Sequence, residues 1–327
     1  MIIRDTVQRD RAVLVMITLL VLLFGLSIFV GVSDMSLAQL FGDRQALNLL
    51  LVSRLPRSFA AVLSGAGLAI AGLVMQTLAR NRFVEPATVG TAQSAALGIL
   101  LATLWFPSIS LSMKALIASA AALIGTMGFL GIAHRLPPTQ PFLVPLFGLI
   151  YGGVLGAAAT FIGWQTDLLQ YLEIWMNGEF SGVLRGRYEL LWFTILVVAL
   201  AWWVADRLTI VSLGREASIG LGLNYSRMLQ LGLVIVAVMS ALTVVVVGMI
   251  PFVGLVVPNI VSRLSGDNVR GALPLVATSG AVLVLGCDII GRLLRYPYEI
   301  PVGTILGVVG AVLFLWLLFS RARYERR

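Results

Sequence analysis

Ten stretches of this chain are apolar almost without interruption, each bounded by charge, proline or glycine: residues 12–32, 56–78, 89–104, 113–133, 142–164, 190–205, 228–248, 253–264, 273–294 and 302–320. A hydrocarbon core about 30 Å thick takes about 20 apolar residues per helix, so most of these runs are long enough to cross a bilayer. The expected fold is all-α: a polytopic membrane protein of about ten transmembrane helices, with residues 1–327 forming one transmembrane domain. Only 12% of residues are charged, against about 25% in a soluble domain, too few to cover a water-facing surface. Two runs are short. Residues 89–104 and 253–264 would hardly cross alone, and each follows a break containing proline, glutamate or glycine. Irregular backbone is tolerated at membrane depth only where it packs in protein or lines a cavity, so these two segments point to a central pathway. The first run follows Arg4, Arg9 and Arg11 and resembles a signal peptide. It is too long for an h-region and lacks a small-x-small cleavage site, so it is read as the first span.

A formal net charge of +8 would point a soluble protein toward nucleic acid. Here the cations stand singly between apolar runs, which is the pattern of membrane orientation, and no nucleic-acid partner is expected. Ten crossings place both termini on one side, together with fifteen arginines, and leave eight basic residues on the other. The positive-inside rule then assigns both termini to the cytoplasm. The outer eight include two close pairs at span ends, Arg54 with Arg57 and Arg292 with Arg295. They read as side chains snorkelling to the headgroup level. Residues 165–189 read as an outer loop carrying an amphipathic helix, with Tyr171, Trp175 and Phe180 among Asp167, Glu173 and Glu179.

Several chemistries are absent from the sequence. Lys114, the only lysine, follows Met113, so the chain has no P-loop, and any ATP hydrolysis belongs to another chain. Cys287 is the only cysteine and lies in an apolar run, as a buried small hydrophobe would. His134 is the only histidine and borders Arg135, Pro137 and Pro138, a loop signature; no catalytic or metal-ligating residue is expected. An ion-coupled carrier would hold ionisable groups near the bilayer centre. Asp288 is the best candidate, yet Arg292 lies one turn beyond it and is positioned to neutralise it as an i, i+4 pair near the outer end. Between the first and eighth spans no other buried carboxylate is expected. Small residues recur at helical spacing, at Gly65, Ala69 and Gly72, at Gly148, Gly152 and Gly156, and at Gly303, Gly307 and Gly310. Close helix packing explains such stripes, and a smooth cavity wall is the alternative.

These features occur in a recognisable order. The blocks are Arg54-Leu55-Pro56-Arg57, Gly65-Ala66-Gly67-Leu68-Ala69, Met75-Gln76, then Arg80-Asn81-Arg82-Phe83-Val84-Glu85-Pro86 ending at Gly90. Later come Leu213-Gly214-Arg215-Glu216-Ala217 with Leu221-Gly222, Phe252-Val253-Gly254-Leu255-Val256-Val257-Pro258, and Glu299-Ile300-Pro301-Val302-Gly303. Over essentially its full length the chain resembles the FecCD-type permeases, membrane subunits of ABC importers for iron siderophores, haem and cobalamin. It departs from the family pattern at Asn81-Arg82-Phe83-Val84, where Asn-Pro-Leu-Ala is usual, at Asn259 in place of histidine, and at Val312 in place of proline. The first departure resembles the branch that serves catecholate-type siderophores such as petrobactin or anguibactin.

The resemblance implies the ten-helix fold of type II ABC importers, a second permease subunit (a heterodimer in many members of the branch), two ATPase subunits that carry ATP and Mg, and a periplasmic or lipid-anchored substrate-binding protein. It implies no cofactor bound by this chain. Residues 208–227 match the cytoplasmic coupling segment, with Leu213, Gly214, Arg215, Glu216, Ala217, Gly220, Leu221 and Gly222 as two short helices broken at glycine. Arg54, Arg57 and Arg292 match positions that dock the binding protein, and Arg295 is a nearby addition. Gly148, Gly152, Gly156, Gly303 and Gly307 are expected to face or shape the route. A haem or cobalamin importer of the same fold, or an ion-coupled carrier, is the alternative.

Overall fold

The structure, a computed structural model, describes residues 6–31, 44–133, 135–136, 143–266 and 268–324; His134 lies outside them. The elements are α1 (Thr6–Phe29), α2 (Arg44–Leu49) with a π-turn (Leu50–Arg54), α3 (Leu55–Ala79), α4 (Thr91–Trp105), α5 (Leu111–Ala133) and α6 (Leu143–Gln165). There follow α7 (Leu169–Met176), a 3-10 turn (Tyr188–Trp192), α8 (Phe193–Val211), α9 (Arg215–Gly220), α10 (Tyr225–Val246), α11 (Val253–Ser265), α12 (Val269–Leu293) and α13 (Val302–Tyr324). Eight helical runs are long and apolar enough to cross a membrane, with α2, the π-turn and α3 counting as one. The short apolar helices α4 and α11 complete the expected ten, and they are the two that the sequence marks as too short.

Helix α3 is the axis of the bundle, and its small residues are the reason. Ala60, Ala61, Gly65, Ala69 and Gly72 are buried along it. A Cβ on Gly65 would overlap the carbonyl of Gly280 in α12, and one on Gly72 would overlap the backbone of Gly254 in α11. In lipid no hydrophobic force selects a helix neighbour over an acyl chain, so this close backbone approach supplies the dispersion contact that holds α3, α11 and α12 together.

Helices of 15 and 13 residues rise about 22 and 20 Å, short of a core about 30 Å thick. The missing height is made up by irregular segments, residues 80–90 and 247–252, which meet inside the bundle. Glu85, 2% exposed, joins them: its Oε1 accepts from the backbone N–H of Phe252 at 3.0 Å, at the start of α11. This carboxylate corrects the expectation that no buried acid precedes the eighth span. Pro258 inside α11 lacks the N–H that would bond the Gly254 carbonyl. Gln76 of α3 replaces it, its Nε2 donating to Gly254 O at 3.1 Å.

The loop between α7 and the 3-10 turn is tied to the bundle as well: the backbone N–H of Arg185 donates at 2.9 Å to the carbonyl of Val52, in the π-turn before α3. The expected amphipathic helix is α7, where Leu172 is buried and Tyr171 and Ile174 are exposed.

Candidate coupling and docking sites at the two ends of the bundle

Helix α3 runs between two ends of different chemistry. At the Arg80 end, α8 closes at Val211 and the chain turns through Gly214 (φ +105°) into α9, then through Gly222 (φ +80°) into α10. Both glycines sit where a side chain would strain the backbone. Ser218 is buried and anchors the turn, donating from Oγ to Gly214 O at 2.7 Å. Against that anchor Leu213, Ile219 and Leu221 stand outward, 61%, 56% and 62% exposed, and Arg215, Glu216, Ala217 and Gly220 are exposed around them. The segment holds one short helix rather than the expected two. Asn224 caps α10 directly, its Oδ1 accepting from Arg227 N at 3.1 Å, so the second half is already the first turn of a long helix. Behind α9 the Arg80 guanidinium lies against Gly214, at the mouth of a cleft of about 330 Å³ lined by Gln76, Asn81, Ser212 and Ser262.

At the opposite end the arginines turn inward. Helix α1 ends at Phe29, leaving carbonyls without intrahelical donors. Arg54 Nη1 donates to Ile28 O at 2.6 Å, while Arg292 Nη1 donates to Ser27 O at 2.9 Å and Val30 O at 2.7 Å. Arg292 also pairs with Asp288 at 2.8 Å, the i, i+4 pair expected from sequence. Asp288 is shared: Arg57 Nη2 donates to its Oδ1 at 2.8 Å, and Arg57 Nη1 donates to both Glu299 oxygens at 3.0 and 2.8 Å. Three arginines, two carboxylates and the end of α1 thus form one network.

Arg54 and Arg292 are 6% and 5% exposed, so in this conformation neither snorkels nor presents its guanidinium to a partner. Among the four arginines expected on a docking surface, only Arg295 is exposed, its guanidinium 5.8 Å from the centre of the Tyr298 ring. The missed residue is Glu299, which the sequence displays only as part of a motif. Its partner lies 242 positions away, a separation that leaves no local signal.

The glycine stripes divide. Gly148 packs on Thr88 and Val89, Gly152 on Gly90, and Gly156 against Gln93, so the α6 stripe clasps the entry to α4. Gly303 N donates to Gly178 O at 2.9 Å, which ties α13 to the loop after α7. Only Gly307 of the five has open space where a side chain would stand.

Against this architecture the model of the FecCD transport family matches residues 18–320. The chain belongs to the FecCD transport family. It is 43% identical over 307 residues to the petrobactin import system permease protein YclN of Bacillus subtilis strain 168, covering 94% of this chain and 97% of that protein. To the ferric-anguibactin transport system permease protein FatD of Vibrio anguillarum it is 37% identical, over 91% of this chain and 95% of that one. A solved chain of a metal-chelate type ABC transporter, in an inward-facing conformation, superposes with a TM-score of 0.81 at 24% identity, over 95% of this chain and 99% of that one.

The departures from the FecCD pattern have local explanations. Asn259 Nδ2 donates to Leu255 O and to Arg82 O, both at 2.7 Å, and so ties α11 to the segment after α3. Phe83 meets the Phe314 ring edge-on at 6.1 Å. With Val312 in place of proline, α13 runs unbroken through that position.

Proposed function

We propose that this FecCD chain is the permease subunit of an ATP-driven importer that takes an Fe(III)–siderophore complex from a substrate-binding protein and passes it across the bacterial cytoplasmic membrane. The full-length relationship to permeases named for petrobactin and anguibactin carries this reading. It agrees with the branch that the Asn81-Arg82-Phe83-Val84 block resembles.

The mechanism follows from the two ends. At the cytoplasmic end, α9 is a lever docked on an ATPase subunit. Ile219 of α9 and the flanking Leu213 and Leu221, all exposed, gain burial on docking, at about 25 cal/mol per Å² of apolar area removed from water. The left-handed turns at Gly214 and Gly222 fix its angle, and Ser218 holds its base against α8. Nucleotide-driven movement of the ATPases then reaches α3 through the contact of Arg80 with Gly214. Two such permeases, favoured as a heterodimer, enclose the route, with the ATPases below and a periplasmic or lipid-anchored binding protein above.

No group of three or more His, Cys, Asp or Glu gathers among the described residues. The iron is cargo and travels inside its chelate, and a weakly binding wall releases a bulky solute faster than a ligating one. The permease binds no cofactor of its own; ATP and Mg act on the partner ATPases.

The test is uptake of ⁵⁵Fe–petrobactin into proteoliposomes holding the permease, its ATPases and its binding protein. ATP-dependent accumulation that excess haem and cobalamin do not compete supports the reading. Competition by either redirects the substrate, and uptake driven by an ion gradient without ATPase overturns the class.

A further inference from the structure

The ion-pair network at the outer end is graded from interior to solvent. Side-chain exposure rises from 2% at Asp288 and 4% at Arg292 to 14% at Arg57 and 26% at Glu299. Arg57 therefore has two faces. Its Nε and Nη2 are committed to the sealed Asp288, which Arg292 also holds. Its Nη1 is covered by the Glu299 carboxylate, the more exposed of its two partners.

We propose that Glu299 is a built-in competitor for docking: its carboxylate occupies the N–H pair of Arg57 that an acidic side chain of the substrate-binding protein takes when it binds. This rests on the reading of the outer end as a docking face. The exchange replaces one carboxylate by another, so the guanidinium never loses a partner, which matters because an uncompensated buried charge is strongly destabilising. The released Glu299 lies between α12 and α13 at a partly exposed position and is hydrated there. Asp288 cannot serve in this way, because it is sealed and shared by two arginines. Docking then reports a difference between two similar ion pairs, which keeps the contact weak enough to release the binding protein in each cycle while its charge still guides the encounter.

The experiment titrates the cognate substrate-binding protein, without any lipid anchor, onto the assembled transporter in nanodiscs and reads Kd. E299Q keeps the shape of the side chain and removes its charge, and Kd is expected to tighten about two- to five-fold, the range of a partly exposed pair. E299D draws the carboxylate back by one methylene and is expected to give a smaller gain. In an R57Q background E299Q gives no gain. Arg295, exposed beside the network, tests the docking face separately: R295E is expected to weaken docking about two- to five-fold. Weakening by R295E with no tightening by E299Q or E299D overturns the competitor and leaves the docking face standing. An equal gain from E299Q with and without Arg57 also overturns it. If neither R295E nor E299Q changes Kd, the docking face itself is wrong and the competitor falls with it.

Discussion

The two ends of the bundle invert the usual arrangement of polar and apolar groups. At the outer end, charged side chains that a sequence reading assigns to a partner are consumed within the chain, where Arg54, Arg57 and Arg292 meet two carboxylates and the last carbonyls of α1. At the Arg80 end, apolar side chains that would ordinarily be sheltered stand outward on α9 and at its two ends. The difference teaches that the buried charges of the Arg57 end are satisfied within the chain, whereas the apolar side chains of the Arg80 end are not covered by it. Removing a sealed side chain from the Arg57 network should therefore damage the fold, and removing one at the exposed tip beside Arg80 should damage assembly.

The largest effect on stability is expected at Asp288. Replacing it with alanine leaves Arg57 and Arg292 facing each other in a buried site with one fewer counter-charge. Breaking a buried pair by deleting one partner costs about 3–5 kcal/mol. Thermal unfolding of the detergent-purified D288A variant is expected to show a collapse of stability, with little folded protein recovered from membranes. A near-normal melting curve would mean that the outer end is not self-contained, and the contrast between the ends would fail.

A smaller effect is expected midway, where α3 repairs α11. Q76A removes the donor that serves Gly254 O, and leaving a buried carbonyl unsatisfied costs about 1–3 kcal/mol. The cause can be isolated, because P258A restores a backbone N–H to α11 at the position that bonds this carbonyl. The double variant Q76A/P258A is expected to recover most of the loss seen in Q76A, read in the same unfolding experiment. Losses that simply add would show that Gln76 acts in some other way.

The sequence displayed the parts of this molecule whose physics is local. Ten apolar runs, the two short members, the short helix α7 and the Asp288 to Arg292 pair are all set by neighbours within a few turns, and each is present in the structure. What escaped is held by residues far apart in the chain. Arg57 and Asp288 are separated by 231 positions, and Glu85 bonds the backbone of a residue 167 positions later. A backbone N–H or the last carbonyls of a helix can partner any side chain brought near, so these acceptors and donors leave no mark in the sequence. Charge counting put Arg54, Arg57 and Arg292 at the same end, where the structure has them, yet it cannot distinguish a guanidinium facing solvent from one facing a helix terminus. The coupling segment shows a third limit. Its glycines announce turns at Gly214 and Gly222, but whether the chain after the second turn is a separate helix or the start of α10 depends on the Asn224 cap.

The smallest effect on stability, and the sharpest test of the comparison, is at the tip of α9. Ile219 and Leu221 are 56% and 62% exposed, so replacing both with serine removes little buried area from this chain, and each change should lie within about 0.5 kcal/mol on unfolding. Association with the ATPase subunits should respond quite differently. A fully buried aliphatic side chain contributes about 1.5–3 kcal/mol, so I219S/L221S is expected to lose ATPase subunits during size-exclusion chromatography while its melting curve stays near that of the parent. That pattern is the reverse of the one expected at Asp288. A variant that unfolds early would mean that α9 is part of the bundle's own core, and one that keeps its ATPases would mean that the exposed apolar tip is not the surface on which they dock.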